Sequence, residues 1–194
     1  MTTIFGTELN ISIDDTPTSL PVITCDICAM TEQLVLAREA IAELRARYPA
    51  ETGSNAYASY MSPWKSHRLN AKLTPICELA IDMVKHAVKT TMNCDFDALG
   101  LGLFITDCWG LIYNESDYTK PHHHFPTDYV VVVYLEADDG CSPILFHGGL
   151  EVRPRPGLMV MFPGMLIHEV PANSGRRVSL VMNIVKYPTE PLPG

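Results

Sequence analysis

The hydrophobic pattern of the chain changes from helical to β spacing near Asn93. Apolar residues recur every three or four positions in Thr31–Arg47, with charged residues between them, which predicts an amphipathic helix. A Tyr-Pro pair follows and is expected to end this helix, because the residue before a proline disfavours the α conformation. Segment 73–91 predicts a second helix, with Thr74 as its N-cap and Pro75 at its first helical position.

After Asn93, short runs of β-branched and aromatic residues alternate with Gly, Pro, Asp and Asn. They predict strands at Leu99–Tyr113, Tyr129–Glu136, Pro143–Gly148, Leu150–Pro154, Leu158–Phe162, Leu166–Val170 and Arg177–Val185. Many short strands with tight connections are typical of an all-β sandwich or barrel-like roll, here with helices packed on one face. We therefore expect one mainly β (α+β) domain across 1–194, with 1–95 as a mainly helical support, 96–187 as the β core and 188–194 as a proline-rich tail.

The composition of the 194-residue chain fits a single globular domain. Apolar residues make up 47% and charged residues 19%, and the length allows one sizeable core. The formal net charge of -8 and the lack of a basic run disfavour nucleic acid or an anionic membrane as a partner. We expect a small-molecule or peptide substrate, whose identity the sequence leaves open together with the oligomeric state.

The N-terminal residues and the cysteines both favour a cytoplasmic protein. The first residues lack the pattern of a secretory signal, and no apolar run is long enough to span a bilayer. Six cysteines without such a signal predict free thiols in a reducing compartment. Cys25 and Cys28 have zinc or redox spacing but no second pair, so we expect a buried thiol pair at the entry of a helix.

Three consecutive histidines precede the run predicted as a strand at Tyr129–Glu136. In extended backbone, residues two apart project from the same face, so His122 and His124 can converge while His123 faces the other way. His168, at the start of a later predicted strand, is a candidate third ligand. Three ligands on one side of an ion leave positions open for substrate and oxygen, as in the facial sites of non-haem Fe(II) oxygenases.

From Trp109 to Val185 the sequence resembles the 2-oxoglutarate and Fe(II)-dependent oxygenases, in particular the prolyl-hydroxylase-like branch with a His-x-His metal motif. The resemblance rests on an ordered set of short matches: WGLIY, KPHHHFP, VVVVYLE, GCSPILF, PGLMVMFPGMLIHEV and RVSLVMN. It implies a double-stranded β-helix (a jelly roll, similar to the cupins) of two facing antiparallel sheets. It also implies Fe(II) as the metal, with His122, His124 and His168 as its ligands.

The resemblance further implies a binding site for 2-oxoglutarate as co-substrate. Arg177 takes the position of the basic residue that pairs with the remote carboxylate, and a guanidinium suits a carboxylate because the two match in a bidentate way. Ser179 shares the face of Arg177 and can donate to the same carboxylate. Tyr113 takes the position of a tyrosine that contacts the co-substrate, whereas Asn183 belongs to the pattern without an assigned role. Arg176 is expected to point away and to be exposed.

The sequence departs from the family at His124, where most members carry Asp or Glu. A neutral imidazole leaves the metal centre one unit more positive, which changes its redox properties and the acidity of bound water. Asp128 is an alternative acidic ligand or a hydrogen-bonding partner of one. The other histidines, His67, His86 and His147, are expected outside the site.

The resemblance implies an enzyme that couples decarboxylation of 2-oxoglutarate to hydroxylation of a second substrate. Two alternatives remain open. The first is a cupin-like three-histidine dioxygenase or isomerase without 2-oxoglutarate; Gly157 and Pro163 fit the cupin motifs, but Ser116 stands where cupins have a glycine. The second is a non-catalytic metal-binding barrel, which would hold a closed metal site with four protein ligands.

Overall fold

The computed structural model describes residues 20–189 and, for the backbone alone, two N-terminal strands. The part of the predicted tail after Thr189 lies outside the described residues. The helices are α1 (Thr31–Arg47), α2 (Ser66–Leu69) and α3 (Thr74–Met92). The strands are β1 (Thr2–Ile4), β2 (Thr7–Asp15), β3 (Pro21–Asp26), β4 (Ala56–Tyr57), β5 (Tyr60–Met61), β6 (Leu101–Tyr113), β7 (Tyr118–His122), β8 (Tyr129–Ala137), β9 (Ile144–Phe146), β10 (Glu151–Val152), β11 (Leu158–Pro163), β12 (His168–Val170) and β13 (Arg177–Pro188).

The strands form two sheets with antiparallel pairing between the named strands. The larger sheet has the order β1-β2-β3-β11-β8-β13-β6-β5, and the smaller has the order β10-β9-β12-β7-β4. The helices pack against one face of the large sheet, and the small sheet covers the other face. The predicted mainly β architecture with two antiparallel sheets is confirmed.

The central strands of the large sheet are buried on both faces, which explains their unbroken apolar sequences. In β8, alternate residues contribute to two different cores. The face toward the small sheet carries Val130, Val132 and Tyr134, and the face toward the helices carries Tyr129, Val131, Val133 and Leu135. Strand β13 follows the same alternation, and its face toward the small sheet carries the polar residues of the candidate site.

Helix α1 has the predicted bounds, and its apolar stripe packs on the large sheet. Its close approach requires a small residue on β6, because a Cβ at Gly110 would overlap the side chain of Ile41. For α3 the prediction of Thr74 as N-cap is wrong. Thr74 is the first helical residue, Leu73 occupies the N-cap position, and no side chain caps this end.

The first half of the chain also contributes strands, which the sequence analysis did not predict. Strand β3 pairs with β11, and β5 pairs with β6, so this segment extends the large sheet as well as supporting it with helices. Strand β7 was also missed, because its sequence YTKPH is polar and contains a proline. Among the described helices, none combines the length and apolar character that a transmembrane helix needs.

All six cysteines are free thiols, as predicted, but the description of Cys25 and Cys28 as a buried pair is wrong. Cys25 is buried in β3, whereas Cys28 lies exposed in the turn before α1. The Cys28 thiol donates to the carbonyl oxygen of Pro156 at 3.2 Å. The two thiols are separated because the strand ends at Asp26, between them.

The packing of β13 against the helices predicts a large stability loss for Leu180→Ala. Leu180 is completely buried, and removing its side chain leaves a cavity, so we expect a loss of about 2–5 kcal/mol in the free energy of unfolding. Leu99→Ala is the matched control, because Leu99 is 60% exposed and its truncation should change stability by about 0.5 kcal/mol or less. Urea unfolding followed by circular dichroism measures both. Equal losses in the two variants would contradict this packing.

Candidate metal centre

Three histidines, two from paired strands of the small sheet and one from the loop after β7, meet in one cluster. Strands β7 and β12 pair antiparallel with His168 opposite His122, and His124 lies two residues after the end of β7. Each of the three rings has one nitrogen that lies within 4.8 Å of a ring nitrogen of each of the other two. The ring centroids are 4.4 Å apart for His122 and His168, and 5.0 and 5.1 Å apart for the two pairs that include His124. The predicted convergence is therefore present in the structure.

Backbone carbonyls fix the orientation of two of the rings. Nδ1 of His122 lies 2.9 Å from the carbonyl oxygen of Lys120, and Nδ1 of His168 lies 3.0 Å from that of Leu166. Because a carbonyl oxygen only accepts hydrogen bonds, Nδ1 must carry the hydrogen in both rings. Each Nε2 then keeps its lone pair, which is the form that binds a metal.

His124 is held by side chains as well as by backbone. Its Nδ1 lies 2.8 Å from Oδ1 of Asn183 on β13, and its ring stacks on Trp109 with 5.9 Å between centroids. Its backbone N–H donates to the carbonyl oxygen of Gly164 at 2.7 Å. Asn183 is thus the contact that sequence analysis could not assign. The available signal was strand alternation, which places Asn183 on the same face as Arg177.

Burial lowers the pKa of all three imidazoles, because an apolar environment disfavours the charged form. The pKa of His124 falls to about 4, and that of His168 falls well below its usual value. For these two rings the charge of a neighbouring protonated imidazole adds to the effect of burial. The metal-free cluster is therefore neutral at pH 7, and its lone pairs are available to a cation.

The neighbouring candidates lie outside this cluster. His123 is exposed and is not one of the three converging residues. Asp128 forms an ion pair with Lys186 at 3.0 Å and accepts a hydrogen bond from the backbone N–H of that residue. It therefore does not ligate in this arrangement. In residues 20–189, no cluster of potential metal ligands includes His67, His86 or His147.

Arg177 is a buried cation on β13, with 2% of its surface exposed. One terminal nitrogen donates to the carbonyl oxygen of Ser142 at 3.0 Å, and the guanidinium lies 4.3 Å from the ring centroid of Tyr113. Its Nε is buried without a hydrogen-bond partner, and no ion pair within residues 20–189 includes this arginine. An uncompensated buried charge is strongly unfavourable, so this position suits an anionic ligand.

Ser179 and Tyr113 share the surroundings of Arg177. Ser179 is buried and lines the same cavity as Arg177. Tyr113 lies against the guanidinium, and its hydroxyl is 2.5 Å from Oγ1 of Thr119 on β7. Arg176, by contrast, is exposed, as strand alternation predicts, and the structure pairs it with Glu136.

One cavity of about 450 Å³ connects the histidine cluster with Arg177. It lies between the two sheets, and its lining includes Trp64, Trp109 and Phe125. Trp64 is 38% exposed and packs on Trp109 with 4.7 Å between ring centroids. The cavity lining thus combines a buried cation, a cluster of metal-ligand type, and the exposed aromatic rings of Trp64 and Phe125.

The fold of this chain is that of the 2-oxoglutarate and Fe(II)-dependent oxygenases with a jelly-roll of two antiparallel sheets. A prolyl-4-hydroxylase from Pseudomonas putida superposes with a TM-score of 0.61 at 16% identity, covering 84% of this chain and 91% of that one. A prolyl hydroxylase from Trichoplax adhaerens, in complex with a peptide fragment of hypoxia inducible factor, gives 0.64 at 11% identity, with 90% and 83% covered.

A third protein of similar structure is an epimerase rather than a hydroxylase. The non-haem α-ketoglutarate-dependent epimerase SnoN from nogalamycin biosynthesis gives a TM-score of 0.64 at 15% identity, covering 84% of this chain and 77% of that one. No protein-family model and no curated protein match the sequence. The resemblance predicted from the sequence is thus confirmed as a likeness of fold, and the histidine cluster is consistent with Fe(II) and 2-oxoglutarate.

We expect the metal-free protein to lose stability as the pH falls from about 6.5 to about 4. In this window the His124 imidazole is protonated in the unfolded chain but neutral in the fold, so the unfolded state binds more protons and acid favours unfolding. The stabilisation is complete above pH 6.5, and each unit of lowered pKa corresponds to about 1.4 kcal/mol.

His124→Gln should weaken this pH dependence, because glutamine does not titrate. His123→Gln is the matched control, since this adjacent ring is exposed. Urea unfolding at several pH values, with a chelator present, measures the slopes. Identical slopes for the wild type and His124→Gln would show that the ring is not buried in its neutral form.

Proposed function

We propose that the protein is a non-haem Fe(II) oxygenase that couples the decarboxylation of 2-oxoglutarate to the hydroxylation of a second substrate. The observation that carries this proposal is Arg177. A buried guanidinium with an unpartnered Nε opens into the same cavity as three neutral imidazoles. A metal centre alone does not require this cation, whereas a dicarboxylate that reaches from the metal to the buried end does.

The residues fit the two groups that the reaction needs. The three Nε2 atoms of His122, His124 and His168 offer neutral donors on one side of an ion, since each Nδ1 is already bonded elsewhere. Nitrogen donors with open positions suit Fe(II). Arg177 and Ser179 offer donors for the remote carboxylate of 2-oxoglutarate, and Tyr113 forms the wall beside it.

Bound Fe(II) would supply the oxygen-activating chemistry by which 2-oxoglutarate, dioxygen and a C–H group give succinate, carbon dioxide and an alcohol. The protein's own residues position the reactants. Arg177 anchors the co-substrate at the buried end and thereby directs its other end toward the histidine cluster. Trp109 packs on His124 and, with Phe162 beside His168, limits the access of water to the ligand rings.

The charges of the cavity lining favour a substrate whose inserted part is uncharged. Arg177 and Asp107 are the only Asp, Glu, Lys or Arg residues in the lining that the structure describes, and Asp107 is paired with Lys65. With Arg177 used by the co-substrate, the exposed ring of Trp64 remains for apolar contact. A small molecule and a peptide side chain both meet these conditions.

One observation favours a second candidate, a three-histidine metal enzyme that does not use 2-oxoglutarate. The cluster contains no carboxylate, and the nearby Asp128 is engaged with Lys186. Such an enzyme would convert its substrate without forming succinate, and it would have no need of Arg177. A cationic residue in that position therefore distinguishes the two candidates.

We expect His168→Ala to abolish tight Fe(II) binding while the protein stays folded. The substitution removes one of three lone pairs, and three ligands hold the ion far better than two. Anaerobic calorimetry with Fe(II) measures the affinity, and thermal unfolding reports the fold. His123→Ala is the matched control, because this adjacent histidine lies outside the cluster. An Fe(II) affinity in His168→Ala within a few-fold of the wild type would refute the assignment.

We expect Arg177→Met to weaken 2-oxoglutarate binding by more than about tenfold, because charged hydrogen bonds contribute roughly 1.5–3 kcal/mol each. Methionine keeps much of the length and apolar volume of the side chain. Anaerobic calorimetry with the Mn(II)-loaded protein measures the binding, and succinate formation with Fe(II) and oxygen should fall in parallel. Arg176→Met is the control, since Arg176 is exposed. Unchanged binding in Arg177→Met, with no succinate from the wild type, would favour the second candidate.

A further inference from the structure

A chain of polar side chains leads from His124 out of the cavity. Oδ1 of Asn183 lies 2.8 Å from Nδ1 of His124, and Nδ2 of Asn183 lies 3.4 Å from Oδ2 of Asp107. The other carboxylate oxygen of Asp107 lies 2.7 Å from Nζ of Lys65. Asn183 is the last residue of β13 that lines the cavity. Asp107 lies opposite Asn183 on the paired strand β6.

The hydrogen bonds of this chain can run in only one direction. Asp107 accepts at both oxygens, so the Asn183 amide must turn its NH₂ group toward the carboxylate. Its oxygen then faces His124 and can only accept, which requires the hydrogen on Nδ1. The opposite amide orientation would bring two oxygens together at Asp107. The chain therefore selects the His124 tautomer whose Nε2 lone pair points to the cluster.

Asp107 also holds a negative charge close to a centre that has no acidic ligand. Burial acts to raise the pKa of Asp107, but hydrogen bonds from Lys65, Thr106 and Asn183, together with the charge of Lys65, outweigh it and hold the pKa below its usual value. A carboxylate that polarises a ligand histidine through hydrogen bonds increases the basicity of that ligand. The carboxylate of Asp107 thus supplies, through Asn183, part of the negative charge that the site lacks because His124 stands in place of an Asp or Glu ligand.

We propose that Asn183 and Asp107 are positioning residues that fix the tautomer of His124 and transmit the charge of Asp107 to the metal-binding nitrogen. The effect on metal affinity rests on the proposed function, because it requires the histidine cluster to bind Fe(II). The effect on the tautomer does not, since it is a property of the metal-free protein.

The first test is the ring tautomer in the metal-free protein, read from ¹⁵N chemical shifts of labelled histidine. In the wild type, His124 should carry its hydrogen on Nδ1. In Asn183→Leu it should become a mixture of both neutral tautomers, because the acceptor is gone. A His124 ring that keeps the Nδ1 hydrogen in Asn183→Leu, or lacks it in the wild type, overturns the proposal whether or not the cluster binds metal.

The second test is Fe(II) affinity, measured by anaerobic calorimetry. Loss of such an outer partner typically weakens metal binding about 10–100-fold, and we expect this range for Asn183→Leu. Asp107→Asn should also weaken binding, and the double variant should be no weaker than Asn183→Leu alone, within about twofold. Asp128→Asn is the matched control, because Asp128 also pairs with a lysine but does not contact the chain. If the losses in Fe(II) affinity from the two single substitutions add up in the double variant, Asp107 does not act through Asn183.

A variant that exchanges the two groups separates positioning from folding. In the double variant Asn183→Asp with Asp107→Asn, the carboxylate accepts directly from His124, and the amide bridges it to Lys65. All hydrogen bonds can re-form, so we expect the Nδ1 tautomer and an affinity at least tenfold above that of Asn183→Leu. A folded exchange variant with the low affinity of Asn183→Leu overturns the charge relay. If the wild type binds no Fe(II), the proposed function fails, and the tautomer experiment alone decides this inference.

Discussion

The antiparallel pairing of β7 with β12 is the constraint on which the site depends. This register sets His168 opposite His122, and His124, two residues further along the chain, projects to the same face before the turn at residues 125–126. A shift by one residue would send one of the paired rings to the other side of the sheet. Three imidazoles can remain this close in a buried position because each keeps its Nδ1 hydrogen bonded and stays neutral.

The large sheet provides the rigid side of the same cavity. Strand β13 is central, and its alternation sends Val178 and Leu180 toward the helices and Arg177 and Ser179 toward the cavity. The helices have no contact with the reacting groups in this account. Their packing on the large sheet is close where Ile41 lies over Gly110 of β6, the strand paired with β13. This packing holds β13, which carries the proposed anion-binding residues. Stability and placement of the site are therefore coupled through one strand.

The sequence pattern predicted those parts of the structure that depend on residues close together in the chain. Helix α1 agrees with its apolar spacing, and the histidine cluster follows from the geometry of an extended chain and one remote partner. The polar strand β7 was missed because its pairing is favoured by β12 and β4 rather than by its own sequence. Cys28 was misplaced because the end of β3 depends on its pairing with β11. The contact of Asn183 with His124 joins residues far apart in sequence, and no spacing rule could predict it.

The central claim is that three histidines hold Fe(II) in an open site next to a buried arginine that binds 2-oxoglutarate. An anaerobic crystal structure of the protein with Fe(II) and 2-oxoglutarate tests it most directly. The account predicts one metal ion bound by Nε2 of His122, His124 and His168, with the keto acid on the same ion and its far carboxylate on Arg177. A metal with a fourth protein ligand, or a co-substrate that leaves Arg177 unpaired, would contradict it.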